Sequence, residues 1–118
     1  MPSSPVTIFH NPACGTSRNV LAAIREHGVE PTVVEYLKAG WTRPQLEGLL
    51  KAMKAKARDI LRVRGTPAEE LGLIGSGVAD NAILEAMVNH PVLVERPIVV
   101  TPKGAALCRP AERVEALL

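Results

Sequence analysis

A strand, a helix and a second strand in close succession constrain this chain most. Residues 6–9 (VTIF) are apolar and mostly β-branched, which suits a short buried strand. The loop HNPACGTS follows, with Pro12 and Gly15 as breakers. From about residue 17 to 27 the pattern turns helical, with Val20, Leu21 and Ile24 on one face. Gly28 supplies a stop, and His27 stands where a helix C-terminus favours a cation. Residues 32–36 (TVVEY) read as a second strand. Two strands joined through a helix pair in parallel, so the chain is expected to open with a βαβ unit.

The middle of the chain is helical in pattern. Thr42 and Gln45 form a capping-box pair with Pro44 inside the first turn. Leu46, Leu49, Leu50 and Met53 follow at helical spacing. After a short apolar piece at Ile60 and Leu61, the residues Thr66, Pro67 and Glu69 repeat the capping signature before a brief helix that Gly72 can end. Asp80 is placed to cap a further helix that buries Ile83, Leu84, Met87 and Val88 and stops at Pro91. Residues 98–100 and 105–108 read as the strands of a hairpin about the turn at 101–104. Pro110 opens a final helix that turns Val114, Leu117 and Leu118 inward. This order predicts an α/β fold with a mixed sheet of about four strands and a helical insert between the βαβ unit and the C-terminal hairpin and helix. With 118 residues and no linker or repeat, a single domain over 1–118 is expected.

Composition narrows the partners. A net charge of +2 and 3% aromatic residues supply neither the basic patch nor the stacking platform that nucleic acid requires. No apolar run approaches the length of a membrane span. The start, MPSSPVTIFHNP, lacks the basic and apolar regions of a secretory signal. Two cysteines, Cys14 and Cys108, make no disulfide framework, and the expected compartment is the reducing cytoplasm.

Cys14 is the candidate for chemistry. It falls between a strand and a helix, where free N–H groups and the helix dipole favour a thiolate. Gly15 lets backbone approach an anion, and Thr16 and Ser17 offer hydroxyls. Cys14 to Ser17 is a C-x-x-S pattern, so no disulfide can close within that turn. His10 can sit by the thiolate, but a His10–Cys14 pair lacks the further ligands of a metal site. Arg96 precedes one hairpin strand and Arg109 follows the other, so the two become neighbours. Neighbouring guanidinium groups repel unless an anion sits between them. Arg62 and Arg64 can join them, and Cys108, at the end of the apolar AALC, is expected to be structural.

The segments HNPACGTSRN (10–19), EELGL (69–73), RPIVVTP (96–102) and LCRP (107–110) together resemble the arsenate reductases of the glutaredoxin-coupled, thioredoxin-fold class. The similarity runs from about Val6 to Leu118. It implies a thioredoxin-like fold with Cys14 as nucleophile and with Arg62, Arg96 and Arg109 as arsenate-binding residues. It further implies His10 and Ser17 in support beside the cysteine, and Pro97 as the cis-proline. The implied reaction takes arsenate to arsenite with glutathione as co-substrate and glutaredoxin as partner, and with no bound cofactor or metal. The same superfamily holds Spx-type transcription regulators that bind RNA polymerase and often switch through a C-x-x-C disulfide, whose second cysteine Ser17 does not supply. A monothiol glutaredoxin-like oxidoreductase is the third reading, and it requires a glutathione site.

Overall fold

The computed structural model describes residues 5–118. Residues 1–4, where the stretch read for a secretory signal begins, lie outside the described residues. The elements run β1 (Thr7–His10), α1 (Gly15–Glu26), β2 (Thr32–Glu35), α2 (Tyr36–Ala39), α3 (Arg43–Met53) and a 3-10 turn at Ala57–Ile60. Then come α4 (Asp80–Asn89), a 3-10 turn at Pro91–Leu93, β3 (Ile98–Thr101), β4 (Gly104–Leu107) and 3-10 turns over Ala111–Leu117. They gather into two units, one up to Ala39 together with Arg96–Leu118, the other Gly40–Glu95.

The first unit holds a four-stranded mixed sheet in the order β2-β1-β3-β4. β1 pairs with β2 in parallel, Ile8 opposite Val33, because α1 carries the chain back to the starting edge. β3 returns antiparallel on the other side of β1, Ile8 opposite Val99, and β4 closes the hairpin. Alternation sends Ile8 and Val99 to one face, where they meet Val20 and Ile24 of α1, Cys108 and Val114. In that cluster Ile8, Val20, Ile24, Val99, Cys108 and Val114 are fully buried. His27 ends α1 as expected and pairs with Glu115 at 2.7 Å. Gly28 takes φ +79°, a conformation that favours glycine.

Two expectations for this unit change. Tyr36 leaves the strand and starts α2, where it is fully buried. The final helix is instead a run of 3-10 turns, closed by bonds such as Arg113 N–H to the Pro110 carbonyl at 3.1 Å. A three-residue repeat stacks Val114 and Leu117, one turn apart, on the face that packs against the core.

In the second unit the Thr42–Gln45 capping box forms in both directions. Leu46, Leu49 and Leu50 are buried, as the spacing requires. Asp80 does not cap α4. Ala79 holds the cap position, and the Asp80 carboxylate accepts the Ala57 N–H at 2.7 Å, tying the preceding 3-10 turn to the helix start. Ile83, Leu84 and Met87 are buried, while Val88 is only half-buried. The brief helix after Thr66 is a series of turns. The Thr66 hydroxyl accepts the Ala68 N–H at 3.2 Å, but Gly72 turns the chain away at φ +71° before helical bonds accumulate.

Because Ile24 anchors α1 in a fully buried position, Ile24→Ala should destabilise the protein by about 3 kcal/mol, read as a lowered urea midpoint. A shift within ±0.5 kcal/mol, the range of surface changes, would contradict this packing.

Candidate active site

The site begins where β1 ends. The Asn11 side-chain oxygen accepts the Ala13 N–H at 3.0 Å, and its backbone oxygen accepts the Cys14 N–H at 3.0 Å. This local turn is the kind that asparagine forms readily, and it folds the loop tightly onto the helix start. Cys14 is the N-cap of α1, in extended backbone, and its carbonyl accepts the Arg18 N–H at 3.0 Å. The Sγ atom therefore faces the first N–H groups of the helix.

Burial pushes the Cys14 thiol up, but other groups outweigh it. The Ser17 N–H, the guanidiniums of Arg96 and Arg109 and the Thr16 N–H favour the anion, and together they hold the thiol below its ordinary value. Arg109 Nη1 lies 3.7 Å from Sγ and also donates to the Arg96 carbonyl at 3.0 Å. The two arginines are neighbours because β3 and β4 pair in register and the Cys108 N–H bonds the Pro97 carbonyl at 2.9 Å just beyond. Arg96 Nε and Nη1 are buried and have no hydrogen-bond partner among the described residues. Buried donors of a cation left unpaired are costly, and an oxyanion beside Cys14 would satisfy them. The Arg96–Pro97 peptide is cis.

His10 and Ser17 are hydrogen-bonded to each other. Ser17 offers its N–H, not its hydroxyl, to the sulfur. The hydroxyl is fully buried, 2.6 Å from His10 Nδ1, and it accepts the Asn11 N–H at 3.1 Å. Burial lowers His10, as do Arg25 and Arg18, against an opposing pull from Glu35. A neutral His10 can take the Ser17 hydroxyl proton at Nδ1, so it supports the loop through Ser17. Asn11, which the sequence reading passed over, makes three bonds in this loop, and its signal was the Asn-Pro pair that starts turns.

Arg62 lies in the second unit. Its Nη1 pairs with Glu95 at 2.8 Å and its Nε donates to the Arg64 carbonyl at 3.1 Å. Cys108 is fully buried, and burial pushes its thiol up to about 11. Among the described residues no group of three His, Cys, Asp or Glu side chains is arranged to hold a metal.

Alkylation of native protein by iodoacetamide should modify Cys14 with a pH midpoint below the free-thiol value of about 8.5, and should spare Cys108 until the chain unfolds. A Cys14 midpoint at or above that value would contradict the electrostatics described. Cys108 also carries a sign. As pH rises from about 9.0 toward about 11, the unfolded chain loses that thiol proton while the folded chain keeps it, so folding stability falls. Cys108→Ala should remove this part of the alkaline loss in urea titrations repeated across pH, and an unchanged alkaline slope would refute it.

Comparison with known proteins follows the same lines. The sequence matches the ArsC family over residues 9–117. It is 53% identical to an arsenate reductase of Synechocystis sp., over 100% of this chain and 82% of that protein. It is 49% identical to the arsenate reductase of Escherichia coli, over 98% of this chain and 82% of that one. Among solved structures, an arsenate reductase from Vibrio cholerae superposes with a TM-score of 0.92 at 36% identity, covering 99% of this chain and 100% of its own. A cysteine loop at the head of α1, a β3–β4 hairpin flanked by two arginines and these relatives agree, and the chain belongs to the ArsC family.

Proposed function

We propose that this protein reduces arsenate to arsenite. The observation that carries the reading is the pair of buried, unpartnered Arg96 donors beside a thiol that its surroundings favour as a thiolate. A tetrahedral oxyanion suits both features, and the arsenate reductases among the relatives supply its identity. The family match spans residues 9–117, which supports one thioredoxin-like arsenate reductase domain over 1–118. The free cysteines fit a cytoplasmic protein, and no described helix is long and apolar enough to cross a membrane.

In this reading Arg96 and Arg109 hold arsenate against the N-terminus of α1, with Arg62 as the third arsenate-binding residue. The Cys14 thiolate attacks arsenic, an As–S bond forms, and an arsenate oxygen leaves as water after protonation. His10 and Ser17 keep the loop in place, and Pro97 shapes the approach to the hairpin. Ser17 gives Cys14 no thiol partner within the turn, so the electrons come from outside. Glutathione adds to the arsenic with loss of a second water, and a glutaredoxin thiolate then attacks the glutathione sulfur, so that the As–S bond to glutathione breaks and a glutaredoxin–glutathione disulfide forms. Two thiols are thus oxidised to one disulfide, the electron pair of the broken bond stays on arsenic and takes As(V) to As(III), and water displaces the Cys14 sulfur to free arsenite and restore the thiolate. No bound cofactor or metal is required.

The test is arsenate-dependent NADPH oxidation coupled through glutathione, glutaredoxin and glutathione reductase. Wild type should turn over and Cys14→Ser should not. Lysine keeps charge but loses the planar fork, so Arg96→Lys should lower kcat/KM for arsenate by about 3 kcal/mol. Arg62→Ala should lower it as well. Unchanged kcat/KM in either variant removes that arginine from the proposal. Full turnover with thioredoxin and no glutathione would refute the glutathione route, and no turnover with any thiol reductant would refute the reductase reading.

A further inference from the structure

We propose that the groove along the outer side of α1, bounded by Arg18 and Arg25, seats the small thiol co-substrate, glutathione. The inference rests on the arsenate reductase reading and assigns a place to its second reactant. That reactant needs a place of its own. Ser17 supplies no thiol beside Cys14, and Cys108 is fully buried. The reducing sulfur must therefore arrive from solvent and be held near the loop at 11–14.

The groove has a volume of about 510 Å³ and is lined by Pro12, Arg18, Leu21, Ala22, Arg25 and Glu26, together with His10. That volume lies within the range of roughly 300–1,000 Å³ usual for small-molecule sites. Pro12 is part of the nucleophile loop, two positions before Cys14, so one wall of the groove is the loop itself. Neither Arg96 nor Arg109 lines it, so an oxyanion held by those arginines leaves the groove open.

The chemistry of the lining matches the tripeptide. Glutathione carries two carboxylates and one ammonium, and the groove carries two guanidiniums and one carboxylate. Arg25 is already forked to Glu30, at 3.1 and 3.0 Å, on the solvent side. Arg18 is exposed and spends Nη1 on the Pro12 carbonyl at 2.9 Å, which holds its guanidinium at the loop end. Arg18 is thus the cation nearest in sequence to the reacting sulfur and the first expected to meet a ligand carboxylate. Pro12, Leu21 and Ala22 give an apolar stretch suited to the ligand's methylene groups.

The experiment measures steady-state KM for glutathione and for arsenate in Ala22→Trp, which fills the groove, and Arg25→Glu, which reverses a charge in its lining. The Cys14 alkylation rate is followed in both variants to show that the loop is intact. The expected result is a glutathione KM raised about tenfold, the loss of a single good contact, with the arsenate KM and the alkylation rate unchanged. Titration of the wild type with S-methylglutathione, which cannot react, should shift the NMR signals of Arg18, Leu21 and Ala22. An unchanged glutathione KM in both variants of an enzyme that turns over would overturn the seat while leaving the reductase reading intact. A raised KM for glutaredoxin alone would also overturn it, by showing that a protein docks there. If the wild type does not reduce arsenate, the S-methylglutathione titration still decides, and shifts absent from α1 would overturn the seat.

Discussion

Pairing of β3 against β1 sets the position of everything that matters at Cys14. β1 delivers its C-terminal end, His10, to the start of the loop that carries Cys14. An antiparallel neighbour must begin where β1 ends, because Phe9 lies opposite Ile98. Arg96 is therefore forced to the same end of the sheet as Cys14. β4 returns with Leu107 opposite Ile98 and adds Arg109 there by the same geometry. Ile8 and Val99, paired and fully buried under α1, hold that register, since a slip of one residue would turn both out of the core.

The loop then converts position into reactivity. Asn11 and Ser17 use hydrogen bonds to hold the chain so that Cys14 caps α1. Burial alone would suppress the thiolate, as it does for Cys108. Helix N–H groups and two guanidiniums reverse that sign at Cys14. One chain thus carries two cysteines with opposite tendencies, and the difference comes from a helix end and a pair of arginines at Cys14 as well as from the greater depth of Cys108.

Much of this was legible in the sequence because the signals were local. The βαβ opening followed from β-branched runs around an amphipathic stretch, and the Arg96–Arg109 neighbourhood followed from hairpin geometry. Where a second element decided the outcome, sequence patterns misled. Asp80 looked like a cap but is drawn to the Ala57 N–H, a partner 23 residues away. Ser17 offers a hydroxyl in the sequence, and only the fold commits that hydroxyl to His10 and Asn11. The tail after Pro110 carries apolar residues at spacings of both three and four, and packing of Val114 and Leu117 against the core selects the three-residue turn. Arg62 is identified by resemblance rather than by any local pattern, and what the fold adds is its pairing with Glu95.

The central claim is that an oxyanion site and a nucleophilic thiolate are the same place. Protection of Cys14 from alkylation by arsenate, in the absence of any thiol reductant, tests it most directly. The account predicts that arsenate slows modification of Cys14 in the wild type in a saturable way, and that Arg96→Gln and Arg109→Gln abolish the protection. An alkylation rate indifferent to arsenate in the wild type would contradict it.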